Sequence, residues 1–141
     1  MKKLLLGAAG AAALLGFADA GALAQDKPGF PLVPKNTNNP FFDQARDGCK
    51  KAEEEFGDFE CLYIGPGEHG GGEEQLQMVN DLIARRVDGI AVSPSNAPAI
   101  ATALQGAKEA GIPVLTWDSD LLPEHHDLRI AYVGTKNYDI G

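Results

Sequence analysis

After residue 30 the hydrophobic positions of the chain switch repeatedly between two periods. Short apolar runs fall at Leu32-Val33, Phe59–Ile64, Gly89–Val92, Ile112–Trp117 and Leu128–Val133, and each reads as a strand. Between them lie longer stretches of helical period. Residues 39–56 place Phe42, Ala45, Cys49, Ala52 and Phe56 on one stripe and stop at Gly57. Residues 73–86 place Leu76, Val79, Leu82 and Ile83 on one face, with acids at the start and Arg85-Arg86 at the end, as the helix dipole prefers. Residues 97–110 follow a capping Asn96, carry Ile100, Ala103, Leu104 and Ala107 inward, and stop at Gly111. Tyr138 onward reads as one more helix start. Strands separated by helices of this length imply right-handed crossovers, so an α/β fold with a parallel sheet covered on both faces is expected. The runs Ile90-Ala91-Val92 and Val114-Leu115 suit strands buried on both sides. Pro31 and Pro34 would remove ladder donors from the first strand, which should be short or irregular at its start.

The segment before residue 30 belongs to a different regime. Met1-Lys2-Lys3 is basic, Leu4 to Phe17 is apolar, and Ala22-Leu23-Ala24 offers small residues where a signal peptidase reads, so residues 1–24 are expected to be a signal peptide cleaved before Gln25. Ala18-Asp19-Ala20 is a weaker cleavage site. The apolar run is too short for a comfortable membrane span, which needs about 20 residues. With no Cys at the cleavage site and no twin arginine, the reading is a soluble secreted protein, most simply periplasmic. Residues 25–141 suffice for one domain with a modest core. The formal net charge of −8 argues against a nucleic-acid or anionic-membrane partner.

Two cysteines in an oxidising compartment invite a bond between Cys49, on the inward stripe of the first helix, and Cys61, in the strand that follows; two buried thiols would fit the same pattern. The absence of any Cys-x-x-Cys speaks against a zinc or thioredoxin-type role.

A parallel open sheet places its crevice at the carboxyl ends of the strands. After the first strand comes Asn38-Asn39-Pro40-Phe41-Phe42. Asn39 can cap the helix and Pro40 suits its first position. Two adjacent phenylalanines cannot both enter the core, so one of them should line the cleft. A carboxamide beside an aromatic surface suits a sugar, whose hydroxyls pair and whose C–H face stacks. The plain alternative is a capped helix with a hydrophobic staple. The other strand ends supply Ser93, Ser95 and Asn96, then Asp118, Ser119 and Asp120, then Thr135, Lys136 and Asn137. Lys35 and Lys136 are the cations near these ends, a poor cradle for phosphate and a good one for polyols. Asp118 can accept from two hydroxyls at once, against the alternative of a turn cap. Trp117 should point the other way by alternation.

Three further motifs carry less. Gly65-x-Gly67-x-x-Gly70 matches the dinucleotide pattern formally, but Pro66 removes a donor and Glu73-Glu74 would repel a pyrophosphate. His125-His126 has no distant partner at ligand spacing, so no metal is expected. No Ser/His/Asp set has a nucleophile context, so neither an enzyme nor a cofactor is called for.

Four runs together resemble the ribose/galactose-type sugar-binding proteins of bacterial ABC transporters. They are Pro34–Phe42, Asp81–Pro94, Ala110–Asp120 and Tyr132–Gly141. The resemblance implies a three-layer open parallel sheet of flavodoxin-like order 2-1-3-4-5, forming one lobe of a two-lobed type I periplasmic-binding fold. It also implies that residues 25–141 are the amino-terminal lobe, ending at the hinge. Carried over by position, Asn39, Phe41, Phe42, Ser93 and Asp118 would hold a monosaccharide, small oligosaccharide or polyol, with Ser119 and Asn137 beside them. Many members have Arg where this chain has Ser119, which alters the choice of sugar. The implied partners are an ABC-transporter permease and, in a sensing role, a chemoreceptor. Lac-type repressors share the sheet but need a DNA-binding segment where this chain has a signal peptide. The alternative function is an exported flavodoxin-like enzyme or cofactor-binding domain, which flavin absorbance would reveal.

Overall fold

The computed structural model describes residues 27–135. The expected signal peptide at residues 1–24, Asn137 and the helix start at Tyr138 lie outside them. Five parallel strands form one sheet: β1 (Gly29–Val33), β2 (Glu60–Tyr63), β3 (Ile90–Val92), β4 (Val114–Trp117) and β5 (Ala131–Val133), in the order β2-β1-β3-β4-β5. This is the expected order. Helices α1 (Asp43–Phe56), α2 (Glu73–Ala84) and α3 (Ala97–Glu109) fill the first three crossovers. A short 3₁₀ turn, Pro123–Leu128, fills the fourth. No described helix is long and apolar enough to cross a membrane.

The core lies between the sheet and the pair α2 and α3. Val33, Ile90, Val92 and Val114 from the strands meet Val79, Leu82, Ile100, Leu104 and Ala107 from the helices. The sequence stripes placed all of these helix residues inward. Gly57 and Gly111 end their helices at φ 71°, which only glycine adopts without cost.

The first strand departs from expectation. It starts at Gly29 and runs straight through Pro31, which pairs with Leu62. Pro31 is tolerated because its missing N–H would face β3, and β3 joins the ladder only from Leu32 onward. Upstream, the Gly29 N–H is satisfied instead by the Asp88 carboxylate at 2.8 Å.

The opposite face of the sheet is covered by α1 alone among the described residues. Phe42 is buried as expected, and Ala45, Cys49 and Ala52 are half-buried. Phe56 corrects the inward stripe: it is 68% exposed, because nothing described lies beyond the last turn of α1. Over β4 the same face is covered by Phe42 at Trp117, while Ile130 and Val133 remain exposed among the described residues.

Cys49 and Cys61 form a disulfide that ties α1 to the edge strand β2, with Cα atoms 6.0 Å apart. Lys50 and Glu53 on the same helix reach the same residue. The Lys50 ammonium donates to the Cys61 carbonyl at 2.7 Å, and the Cys61 N–H donates to Glu53 Oε2 at 3.3 Å. Both groups lie on the outer edge of the sheet, where they would otherwise face another strand.

Candidate functional site

The carboxyl ends of β1, β3 and β4 converge as the topology requires. Asn39 caps the 3₁₀ turn Pro40–Phe42: its Oδ1 accepts from the Phe41 N–H at 3.0 Å. The two phenylalanines divide their roles. Phe42 is 3% exposed and meets Trp117 edge-on at 5.6 Å, whereas Phe41 stands 61% exposed above it. Phe41 is therefore the aromatic surface at the cleft, and Trp117 belongs to the layer beneath.

Asp118 sits at φ 60°, a left-handed conformation uncommon for a side-chain-bearing residue, though aspartate is among those that tolerate it best. Three contacts impose it. Its N–H donates to the Val133 carbonyl at 3.0 Å, its carbonyl accepts from the Tyr132 hydroxyl at 2.9 Å, and the next N–H, of Ser119, turns back to the Trp117 carbonyl. Such backbone strain collects at functional sites. The turn aims the carboxylate back across the strand ends. There Oδ2 accepts from Ser93 Oγ at 2.9 Å and pairs with the Lys35 ammonium at 3.0 Å. Both charged side chains are only about a quarter exposed, 23% and 24%.

This pair divides two hollows. One, of about 270 Å³, is lined by Phe41, Gln44, Trp117, Asp118, Val133 and Thr135, among others. The second, of about 280 Å³, runs from Lys35 to the glycines at 70–72 and to Ser95. A half-buried carboxylate beside an ammonium offers one strong acceptor and one strong donor within a bond length of each other. Adjacent hydroxyls of a polyol match that arrangement.

Of the expected site residues, Asn39 lines neither hollow and serves as the cap beside Phe41, whereas the structure brings Phe41 and Asp118 to one hollow. Phe42 and Ser93 lie behind it. Ser93 is fully buried and spends its hydroxyl on Asp118, so it orients the carboxylate rather than meeting a ligand. Ser119 lines neither hollow. Asn137 falls outside the described residues. Sequence reading passed over Lys35, noted only as a nearby cation. It also passed over Gln75, which is fully buried at the start of α2. The signal was present: Gln75 precedes Val79 and Leu82 by four and seven residues, on their own stripe.

The connection that follows Asp118 is anchored by Asp120. Its carboxylate takes a two-pronged contact from Arg129, with Nε at 2.7 Å, and accepts from Thr116 Oγ1 and the Leu121 N–H. Burial pushes this carboxyl up, but Arg129, then Thr116 and the Leu121 N–H, outweigh it and hold it below its ordinary value. A depressed carboxyl stabilises the fold above its unfolded pKa of about 4, and that stability is lost as pH falls through the folded value. Asp120→Asn is therefore expected to cost about 1.5–3 kcal/mol at pH 7. The gap to wild type should narrow below about pH 4. Urea denaturation at pH 7 and pH 3 checks both; a gap that persists in acid would assign the loss to packing.

A family model described as a periplasmic binding protein domain matches residues 30–141. The chain belongs to the periplasmic binding protein family. Among its relatives, the ribose import binding protein RbsB of Escherichia coli is 33% identical over 118 residues, covering 84% of this chain and 38% of that protein. A solute-binding protein from Burkholderia graminis in complex with D-arabinose superimposes with a TM-score of 0.72 at 34% identity, over 81% of this chain and 37% of that one. LsrB from Clostridium saccharobutylicum in complex with AI-2 gives 0.69 at 31% identity, over 76% and 31%. This periplasmic binding protein domain thus spans less than two-fifths of the length of these relatives.

Proposed function

We propose that this chain is the amino-terminal lobe of a two-lobed protein that captures a sugar or polyol in the periplasm and delivers it to an ABC-transporter permease. The observation that carries the reading is the Lys35–Asp118 pair under the exposed Phe41 ring, at the strand ends of a periplasmic binding protein domain. Phe41 would stack on the sugar's C–H face. Asp118 and Lys35 would take adjacent hydroxyls, and the Asn39 amide would donate to a third. That the chain matches less than two-fifths of the length of its relatives supports the lobe assignment. The role is binding rather than catalysis, and no cofactor is required. Residues 1–24 would be the export signal and Gln25 the mature terminus.

Titration with D-ribose, D-allose, D-arabinose and AI-2, followed by amide NMR shifts, tests the reading. A saturable response at Phe41, Lys35 and Asp118 with one of them is expected. No response to any, or a bound flavin in the purified protein, would overturn it in favour of a cofactor-binding domain.

A further inference from the structure

Beyond the residues that would touch a ligand, the junction of β1 and β3 holds an unusual arrangement. The last ladder bond between these strands runs from the Ser93 N–H to the Val33 carbonyl at 2.9 Å. Each strand then runs into a proline, Pro34 and Pro94, and the β1–β3 ladder goes no further. Two buried carbonyls lie at this end, those of Pro34 and Ser93, and backbone donors reach neither among the described residues. One side chain from a third element satisfies both. Gln75 Nε2 donates to the Pro34 carbonyl at 2.9 Å and to the Ser93 carbonyl at 2.8 Å, while its Oε1 accepts from the Ser95 N–H at 2.8 Å. The partners dictate the amide's orientation, because a flipped group would set its oxygen against two carbonyls. Gln75 is fully buried, so no water substitutes for it.

We propose that Gln75 is a positioning residue for ligand capture: it sets the separation of the β1 and β3 ends, and through them the spacing of Lys35 and Ser93 about Asp118. This rests on the sugar-binding reading above. The residue after Pro34 is Lys35, and Ser93 is the donor that aims Asp118. A shift at either carbonyl therefore moves one member of the ion pair relative to the other. Strand register alone does not hold them, since the β1–β3 ladder ends at Val33 and Ser93.

The test uses Gln75→Met, which keeps the volume and removes all three hydrogen bonds, with Val79→Ala as a control that weakens the core nearby. Two quantities are read on the full chain: D-ribose affinity by NMR titration, and amide hydrogen exchange without ligand. Gln75→Met is expected to weaken D-ribose binding about tenfold or more and to speed exchange at Ser93, Ser95 and Asp118, leaving Leu104 protected. Val79→Ala should lower protection across the core and leave the affinity of the folded protein within about twofold. Unchanged affinity in Gln75→Met, or acceleration spread evenly through Leu104, would overturn the proposal. Should Gln75→Met fail to fold, Gln75→Glu replaces it with the same expected outcomes. If the wild-type chain binds none of D-ribose, D-allose, D-arabinose and AI-2, the functional reading fails separately and exchange decides the clamp: acceleration confined to the strand ends upholds it, and even acceleration rejects it.

Discussion

Asp118→Ala is expected to abolish measurable sugar binding by this chain. A single lobe contacts its ligand from one side and leaves the other side wet. If half of a binding free energy near −8 kcal/mol is realised, the dissociation constant is about a millimolar. Hydrogen bonds to a charged acceptor contribute roughly 1.5–3 kcal/mol, so losing the carboxylate weakens binding by about 10- to 150-fold. That moves a millimolar site beyond practical titration. The same substitution frees the Lys35 ammonium and the buried Ser93 hydroxyl, which compounds the loss. Ser119→Ala lines neither hollow and should stay within about threefold of wild type. Amide NMR titration with D-ribose separates these cases. Wild-type affinity in both Asp118→Ala and Asn39→Ala would mean that the site lies elsewhere.

The second large effect concerns the disulfide. Cys49 and Cys61 are 12 residues apart. The chain-entropy model gives a closed loop of this size about 3 kcal/mol. That is about a third of the stability of a domain of this length, given typical totals of about 5–15 kcal/mol. The paired Cys49→Ser, Cys61→Ser variant is therefore expected to melt roughly 12–20 °C below wild type. Part of the α1 to β2 attachment survives, because Lys50 still reaches the Cys61 carbonyl and Glu53 its N–H. The Lys50 ammonium, and next to it the Cys61 N–H, also hold Glu53 below the usual carboxylate range. Thermal unfolding with and without reductant measures the effect. Equal melting temperatures, or two free thiols in unreduced periplasmic material, would count against a stabilising bond.

Most of the fold was legible along the chain. Each of the five strands lies on a short apolar run, and α2 and α3 carry their buried residues at helical spacing. Caps marked the boundaries: Asn39 and Asn96 accept from first-turn N–H groups, and Gly57 and Gly111 close the other ends. Two local readings needed the neighbours. Pro31 looked like a flaw in a central strand, yet it faces a stretch where the adjoining strand has not begun. Phe56 carried the right period to be buried, but period alone does not supply something to be buried against.

The site divides along the same line. The sequence by itself determined which residues stand at the strand ends, because a right-handed parallel crossover always delivers them to one edge. It determined that one of Phe41 and Phe42 must remain outside, since both occupy a single helical turn. The helical stripe assigned Phe42 to the inside, and the structure leaves Phe41 exposed. Tertiary structure alone decided that Lys35 and Asp118, 83 positions apart in the chain, close to 3.0 Å, that Ser93 turns inward to hold the carboxylate, and that Gln75 joins two strand ends across prolines. These are long-range pairings between polar groups, which leave no periodic trace. Hydrophobic spacing records only which face of an element is dry; the partner of a buried polar group is set by the packing of whole elements against one another.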